Sequence, residues 1–319
     1  MKFNLYYAGQ GYTEVLDYIK QEKGCKLFTN DGERKWIKEW VAEKKEGKIH
    51  NLLFVDSGAY TAFTKKKTID INEYIEFVNS LGVDVDYFAN LDVIPGVFGH
   101  DPTREEVDKA AEESFKNFVY IRKRATFPTK VLPVFHQGED FKWLKQMLEY
   151  KDECGLLDYI CLGGGADKSP KEREAWYRKV FAFIEESKNP KVKVHCLGTS
   201  STRSLELFPF YSADATSWAR AAAFGRIFTK FGTVLVSGMQ DNDPDHISMN
   251  EIGLPVLKEY LASFGFDLDD MIYDNVEKGT RANITRMKWN IKFLQNWAEN
   301  YEYKGPSTFR TNRLFTRRT

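Results

Sequence analysis

Thiol chemistry is scarce in this chain of 319 residues. Its four cysteines, Cys25, Cys154, Cys161 and Cys196, show no CxxC spacing. That argues against a thiolate zinc site and a disulfide framework, and predicts reduced, mostly buried cysteine. No apolar run approaches the roughly 20 residues of a membrane span, so no membrane partner is expected. The opening MKFNLYYAGQGY lacks the apolar core and cleavage site of a secretory signal, which predicts a cytoplasmic protein. Net charge is missing too, with 46 basic and 46 acidic residues. A neutral total leaves a nucleic-acid partner open, because local patches decide such binding. No GxGxxG follows the first apolar run, so the usual signal of a dinucleotide-binding open sheet is absent.

What the chain does have is a repeated pattern without a repeated sequence. Short apolar, β-branched or aromatic runs recur, each followed by a polar or glycine turn. They are FNLYYAG (3–9), NLLFVDSG (51–58), YFANLDV (87–93), KVLPVFHQG (130–138), YICLGGG (159–165), KVHCLG (193–198), YSADATSW (211–218) and GTVLVSG (232–238). Most intervals carry helical spacing, as in 31–45, 70–81, 101–125 and 169–187, with shorter helices at 140–151 and 201–208. Continuous apolar strands alternating with helices imply a parallel sheet. Eight such units in about 240 residues fit an α/β fold of the (β/α)8 barrel kind better than an open sheet. The expected division is a catalytic barrel over 1–245 and a helical extension over 246–319 packed on it, ending in a basic tail.

Barrel enzymes carry their chemistry at the C-terminal ends of strands. Here those ends hold Asp56, Ser57 and Tyr60 in DSGAY, Asn90 and Asp92 in NLDV, His136 and Gln137 in HQG, and Gly163 to Gly165 in LGGG. Asp214 lies inside the run YSADATSW. Singly, a strand-end aspartate reads as a helix cap. Three of them, Asp56, Asp92 and Asp214, read as a shared mouth, and Asp214 is the poorest cap because it interrupts its strand. Two converging carboxylates can serve a glycosidic carbon, one as nucleophile and the other in proton transfer. Tyr60 and the glycine strip suit a planar ligand, and Asp92 with Gln137 could read a purine edge. Metal chemistry is the competing use of three aspartates, but no strand carries the paired histidines expected of a metal-dependent hydrolase barrel, so no metal is expected.

The ordered set resembles the tRNA-guanine transglycosylase superfamily. DSGAY resembles its DSGG[FY] motif, HQGED its QGG segment and LGGG its glycine-rich base-contact strand. NLDV matches the place of the base-reading aspartate, and Asp214 that of the nucleophile. The resemblance covers about residues 50–220. Two departures matter. The chain has no cysteine after Cys196, so the zinc subdomain of the bacterial tRNA enzymes is not expected. Its FPFYSADATSWARAAAFG, like DSGAYTAF and HCLGTSS, is more similar to phage and bacterial 7-deazaguanine DNA transglycosylases.

That resemblance implies an enzyme that exchanges guanine in DNA for a 7-deazaguanine base such as preQ0. Asp214 would attack the sugar C1′, and Asp56 would move the proton. Ser57, Tyr60, Asp92, Gln137, Gly163 and Gly164 would bind the base. No cofactor is implied, because one glycosidic bond replaces another. The implied partners are guanine-containing DNA, flipped or single-stranded, and the incoming base; homodimer formation stays open. Phosphate contacts would come from Lys65, Lys66, Lys67, Arg203, Arg220 and the tail arginines Arg310, Arg313, Arg317 and Arg318. The alternatives are a tRNA enzyme without the zinc subdomain, a barrel glycosidase or nucleosidase, and a nucleic-acid-binding barrel without catalysis.

Overall fold

The computed structural model describes residues 3–9, 12–165, 168–199, 201–237, 247–272 and 276–304. The apolar runs pair side by side into one parallel sheet. In chain order these are β1 (Asn4–Ala8), β2 (Cys25–Thr29), β3 (Leu53–Asp56), β4 (Tyr87–Ala89) and β5 (Val131–Leu132). β6 (Val134–His136) continues β5 past Pro133. A small hairpin of β7 (Lys151–Asp152) and β8 (Gly155–Leu156) stands outside the sheet. β9 (Tyr159–Gly163), β10 (Lys193–Cys196) and β11 (Ser212–Ala215) complete it, and β11 pairs with β1.

Pro133 marks the join. It has no N–H to give, but its carbonyl accepts from the Cys161 amide at 2.9 Å. β5 therefore pairs with β4, and β6 with β9. Following paired residues from Asp214 to Tyr6, to Cys25 and on around the sheet returns to β11 eight positions before the start. That offset is the shear of an eight-stranded (β/α)8 barrel.

Strand alternation sorts the side chains. Tyr6, Leu27, Phe54, Ala89, Val134, Tyr159 and Cys161 fill the barrel interior. Their neighbours Leu5, Phe28, Val55, Phe88, Phe135, Ile160 and Ala213 face the outer helices. Those helices are α1 (Thr13–Gln21), α2 (Asn30–Lys45), α3 (Ala59–Thr64), α4 (Ile71–Leu81), α5 (Arg104–Arg122), α6 (Phe141–Glu149), α7 (Pro170–Glu185), α8 (Thr202–Leu207) and α9 (Ser217–Ala223). Their starts follow local chemistry. Asp70 accepts the amides of Asn72 and Glu73, while Thr103 and Ser169 form reciprocal capping boxes with Glu106 and Glu172.

The eighth strand is not the one the sequence pattern suggested. Within 232–238, β13 (Gly232–Leu235) pairs antiparallel with β12 (Arg226–Thr229) and parallel with β14 (Ile247–Ser248) in a separate sheet. Two residues, Lys230 and Phe231, join β12 to β13. A connection that short reverses the chain, so it cannot feed a parallel ring. The vacant place is taken by Cys25–Thr29, whose apolar run is broken by Lys26. Asp214 therefore lies on the last barrel strand, and the barrel's own strands end well before residue 245.

Beyond β14 come α10 (Met249–Ile252), α11 (Leu254–Ala262) and α12 (Val276–Glu299). α12 returns to the barrel. Met287, Ile291, Leu294 and Ala298, at helical spacing, enter the main core, while Trp289 packs in the smaller core of β12, β13 and α11. Burying Ile291 and Leu294 contributes about 2 kcal/mol each. Asn290, fully buried, accepts the Phe228 amide and donates to the carbonyls of Trp218 and Arg226. The Tyr7 hydroxyl donates to the Ile291 carbonyl at 3.0 Å. No helix among the described residues is long and apolar enough to cross a membrane.

Candidate active site at the barrel mouth

Asp214 is 7% exposed at the inner face of β11. His195, fully buried on the adjacent strand, places Nε2 3.1 Å from Asp214 Oδ1. The Gly198 amide donates to the same oxygen at 3.1 Å. No described residue bonds Oδ2. The other ring nitrogen, His195 Nδ1, meets the Ser212 hydroxyl, which also contacts the Tyr159 hydroxyl. Edges of Phe54, Tyr6 and Tyr159 surround the imidazole. A buried polar chain, Tyr159–Ser212–His195–Asp214, thus runs up the barrel axis within an aromatic collar and holds the carboxylate in one orientation.

Asp56 closes β3 across the mouth. Its carboxyl is pushed up to about 6, mainly by burial. The Gly58 amide, donating at 2.9 Å, works against that rise, and the charges of Asp214 and Asp92 add to it. Gly58 is required here. Its φ is +81°, and a Cβ would lie 2.9 Å from Thr29 Oγ1.

Asp92 lies in the loop after β4, gripped from two sides. Asn90 Nδ2 donates to Oδ1 at 2.9 Å, and His136 Nε2 lies 3.4 Å from Oδ2. His136 Nδ1 meets Glu139 Oε1 at 3.0 Å. Burial disfavours a charged His136, but the Glu139 and Asp92 carboxylates outweigh it and push the imidazole up to about 10. A fixed cation therefore sits between two acids. It depends on Gly163, where a Cβ would come within 3.0 Å of His136 Cδ2.

The expected residues divide into three groups. Asp56, Asp92 and Asp214 lie at or just past the C-terminal ends of β3, β4 and β11, and the charges of Asp214 and Asp92 raise the Asp56 carboxyl. Gln137 joins them at the end of β6: its amide donates to the Gly163 carbonyl, and its buried Oε1 has no partner among the described residues. Gly164 follows at φ +78°, and Ser57 is buried with its carbonyl near Asn30 Nδ2. Tyr60 instead stands at the rim, 64% exposed, on the first turn of α3. Lys65 pairs with Asp31 at 3.2 Å, Lys66 and Lys67 are exposed, and Arg203 lies 4.0 Å from Glu174. Arg220 is exposed on α9, and Arg310, Arg313, Arg317 and Arg318 lie outside the described residues.

Two features escaped the sequence pattern. His195 was given no role, although period-two alternation in KVHCLG turns it inward beside Asp214. The second is Lys26 of β2, on the same side of its strand as Phe28: it is fully buried, and its Nζ donates to the carbonyls of Tyr7, Gly9 and Leu27, each at 2.7 Å. Burial lowers its ammonium to about 7, against the pull of Glu33 and Asp214. Among the described residues no group of three or more His, Cys, Asp or Glu side chains is arranged to hold a metal. Neither a protein-family model nor a curated protein matches the chain.

Proposed function

We propose that this chain is a glycosyl-transferring enzyme of the base-exchanging kind, taking guanine out of DNA and inserting a 7-deazaguanine. One observation carries the reading: two carboxylates at one mouth in unlike environments. Asp214 is held through Oδ1, which leaves Oδ2 for attack on C1′. Asp56, raised to about 6, can hold a proton near neutral pH and release it. The guanine leaves with the Asp56 proton as the Asp214–sugar bond forms. The incoming base then gives Asp56 its proton and displaces the aspartate, so bonds and protons balance over the cycle.

Asp92 and Gln137 suit the base edge. Asp92 is an acceptor toward ring N–H and amino groups, and the unpartnered Gln137 Oε1 adds a second acceptor. Exposed Tyr60 is free to stack once a base is present. A duplex base cannot reach this floor, so the substrate is a flipped or single-stranded nucleotide.

Incubation with labelled preQ0 and guanine-containing DNA should place label in the DNA, and Asp214→Asn should abolish transfer. Label entering tRNA alone would identify a tRNA enzyme. Guanine release that needs only water would identify a nucleosidase. Full activity in Asp214→Asn would overturn the nucleophile assignment.

A further inference from the structure

α9 begins three residues after Asp214, and its outer face does not close against the protein. Ser217, Arg220, Ala221 and Phe224 follow one another at helical spacing along that face. Opposite them stand Arg226 and Phe228 of β12 and Thr233 of β13. Together these seven residues line a groove of about 430 Å³. The opposite face of α9, with Trp218 and Ala222, is buried in the barrel core.

Two of the lining side chains have no internal use. Phe224 is 58% exposed. Arg220 is exposed, and no described acid or carbonyl engages its guanidinium. A protein gains little by presenting a bare aromatic ring one helical turn from an unpaired guanidinium in a concavity. A nucleic-acid strand uses both, because phosphate takes the guanidinium and an unstacked base takes the ring. The Thr233 hydroxyl suits sugar and phosphate oxygens. The groove also starts where β11 ends, so a strand whose target sugar sits over Asp214 would pass along it.

We infer that this groove is a nucleotide subsite, which binds the phosphate and base next to the target on a single strand. Arg220 holds the phosphate and Phe224 stacks on the base. The inference rests on the proposed reading of Asp214 for its substrate, but its test does not require turnover.

The probe is a fluorescein-labelled single-stranded oligodeoxynucleotide with one guanine, titrated by anisotropy into full-length Asp214→Asn protein. Adding Phe224→Ala should weaken binding about tenfold or more. Adding Arg220→Ala should lower the slope of log affinity against log salt by roughly 0.7, the share of one phosphate on a single strand, and Arg220→Lys should restore it. Both positions are exposed, and unchanged thermal unfolding should confirm the fold. Unchanged affinity and salt slope in both variants would overturn the subsite, even if base exchange is found. Weakened binding without any base exchange would uphold the subsite and overturn the transglycosylase reading. No binding by the parent protein would overturn the subsite outright.

Discussion

His195 Nε2 lies 3.1 Å from Asp214 Oδ1, and the register of β10 on β11 makes this a diagonal cross-strand pair, with His195 opposite Ser212. The contact gives Asp214 a fixed orientation without a flexible side chain. If Asp214 is the nucleophile proposed above, His195→Ala should lower the maximal rate about a hundredfold, the usual cost of letting a reacting group drift by an ångström. KM for the free base should change little, because His195 lies beneath the mouth. Steady-state kinetics with base and DNA varied separately checks this.

Asp56 binds its proton more tightly in the folded protein than in the unfolded chain. Stability should therefore fall as pH rises from about 4 to about 6, and the loss persists above that range. Asp56→Asn should stabilise the protein at pH 7 by roughly 1–2 kcal/mol, less than the full linkage value because the residue keeps some solvent access. The gain should vanish below about pH 4. Single-turnover guanine release should also slow as pH rises through about 6, as the acid loses its proton. Denaturation and rapid-quench measurements across this range test both effects.

His136 is also shifted upward, so its contribution runs the same way with pH, but its protonated form is the charged one. Its imidazolium is stabilised between Glu139 and Asp92, so its contribution is complete below about 6.5 and is lost as pH rises through about 10. His136→Leu leaves two facing carboxylates without a cation and should cost about 2 kcal/mol at pH 7. The difference between variant and parent should shrink at the alkaline end. Urea unfolding at several pH values would show it.

Lys26→Met should cost about 3 kcal/mol, because three buried carbonyls lose their donor at once. Lys26→Arg should not rescue it, since a planar fork cannot point three donors into a site shaped for an ammonium. Thermal unfolding of the two variants at pH 6 tests the assignment.

The barrel was legible because seven of its eight strands lie in short runs rich in apolar, β-branched or aromatic residues, each followed by a polar or glycine turn. β2 was hidden by Lys26, a charge that a pattern read one residue at a time rejects from a core. Only the three carbonyls around its ammonium make that burial tolerable. Gly232–Leu235 looked like a barrel strand because composition does not distinguish a ring strand from a hairpin. The two-residue link after Thr229 does. Asp56, Asp92 and Asp214 were legible as strand-end acids. Their partners were not, because the pairing of His136 with Asp92 and of His195 with Asp214 is set by barrel shear and loop path.

The hydrogen bond from Tyr7 to Ile291 spans 284 residues of chain. During synthesis, β1 emerges long before α12, the helix that covers it. Until α12 arrives, the seam between β1 and β11 lacks its outer layer, and Tyr7 lacks its acceptor. A nascent chain stopped before α12 would display that bare seam to chaperones and proteases. The mouth, whose first acid lies on β3 and whose last lies on β11, would be assembled only after β11 has emerged.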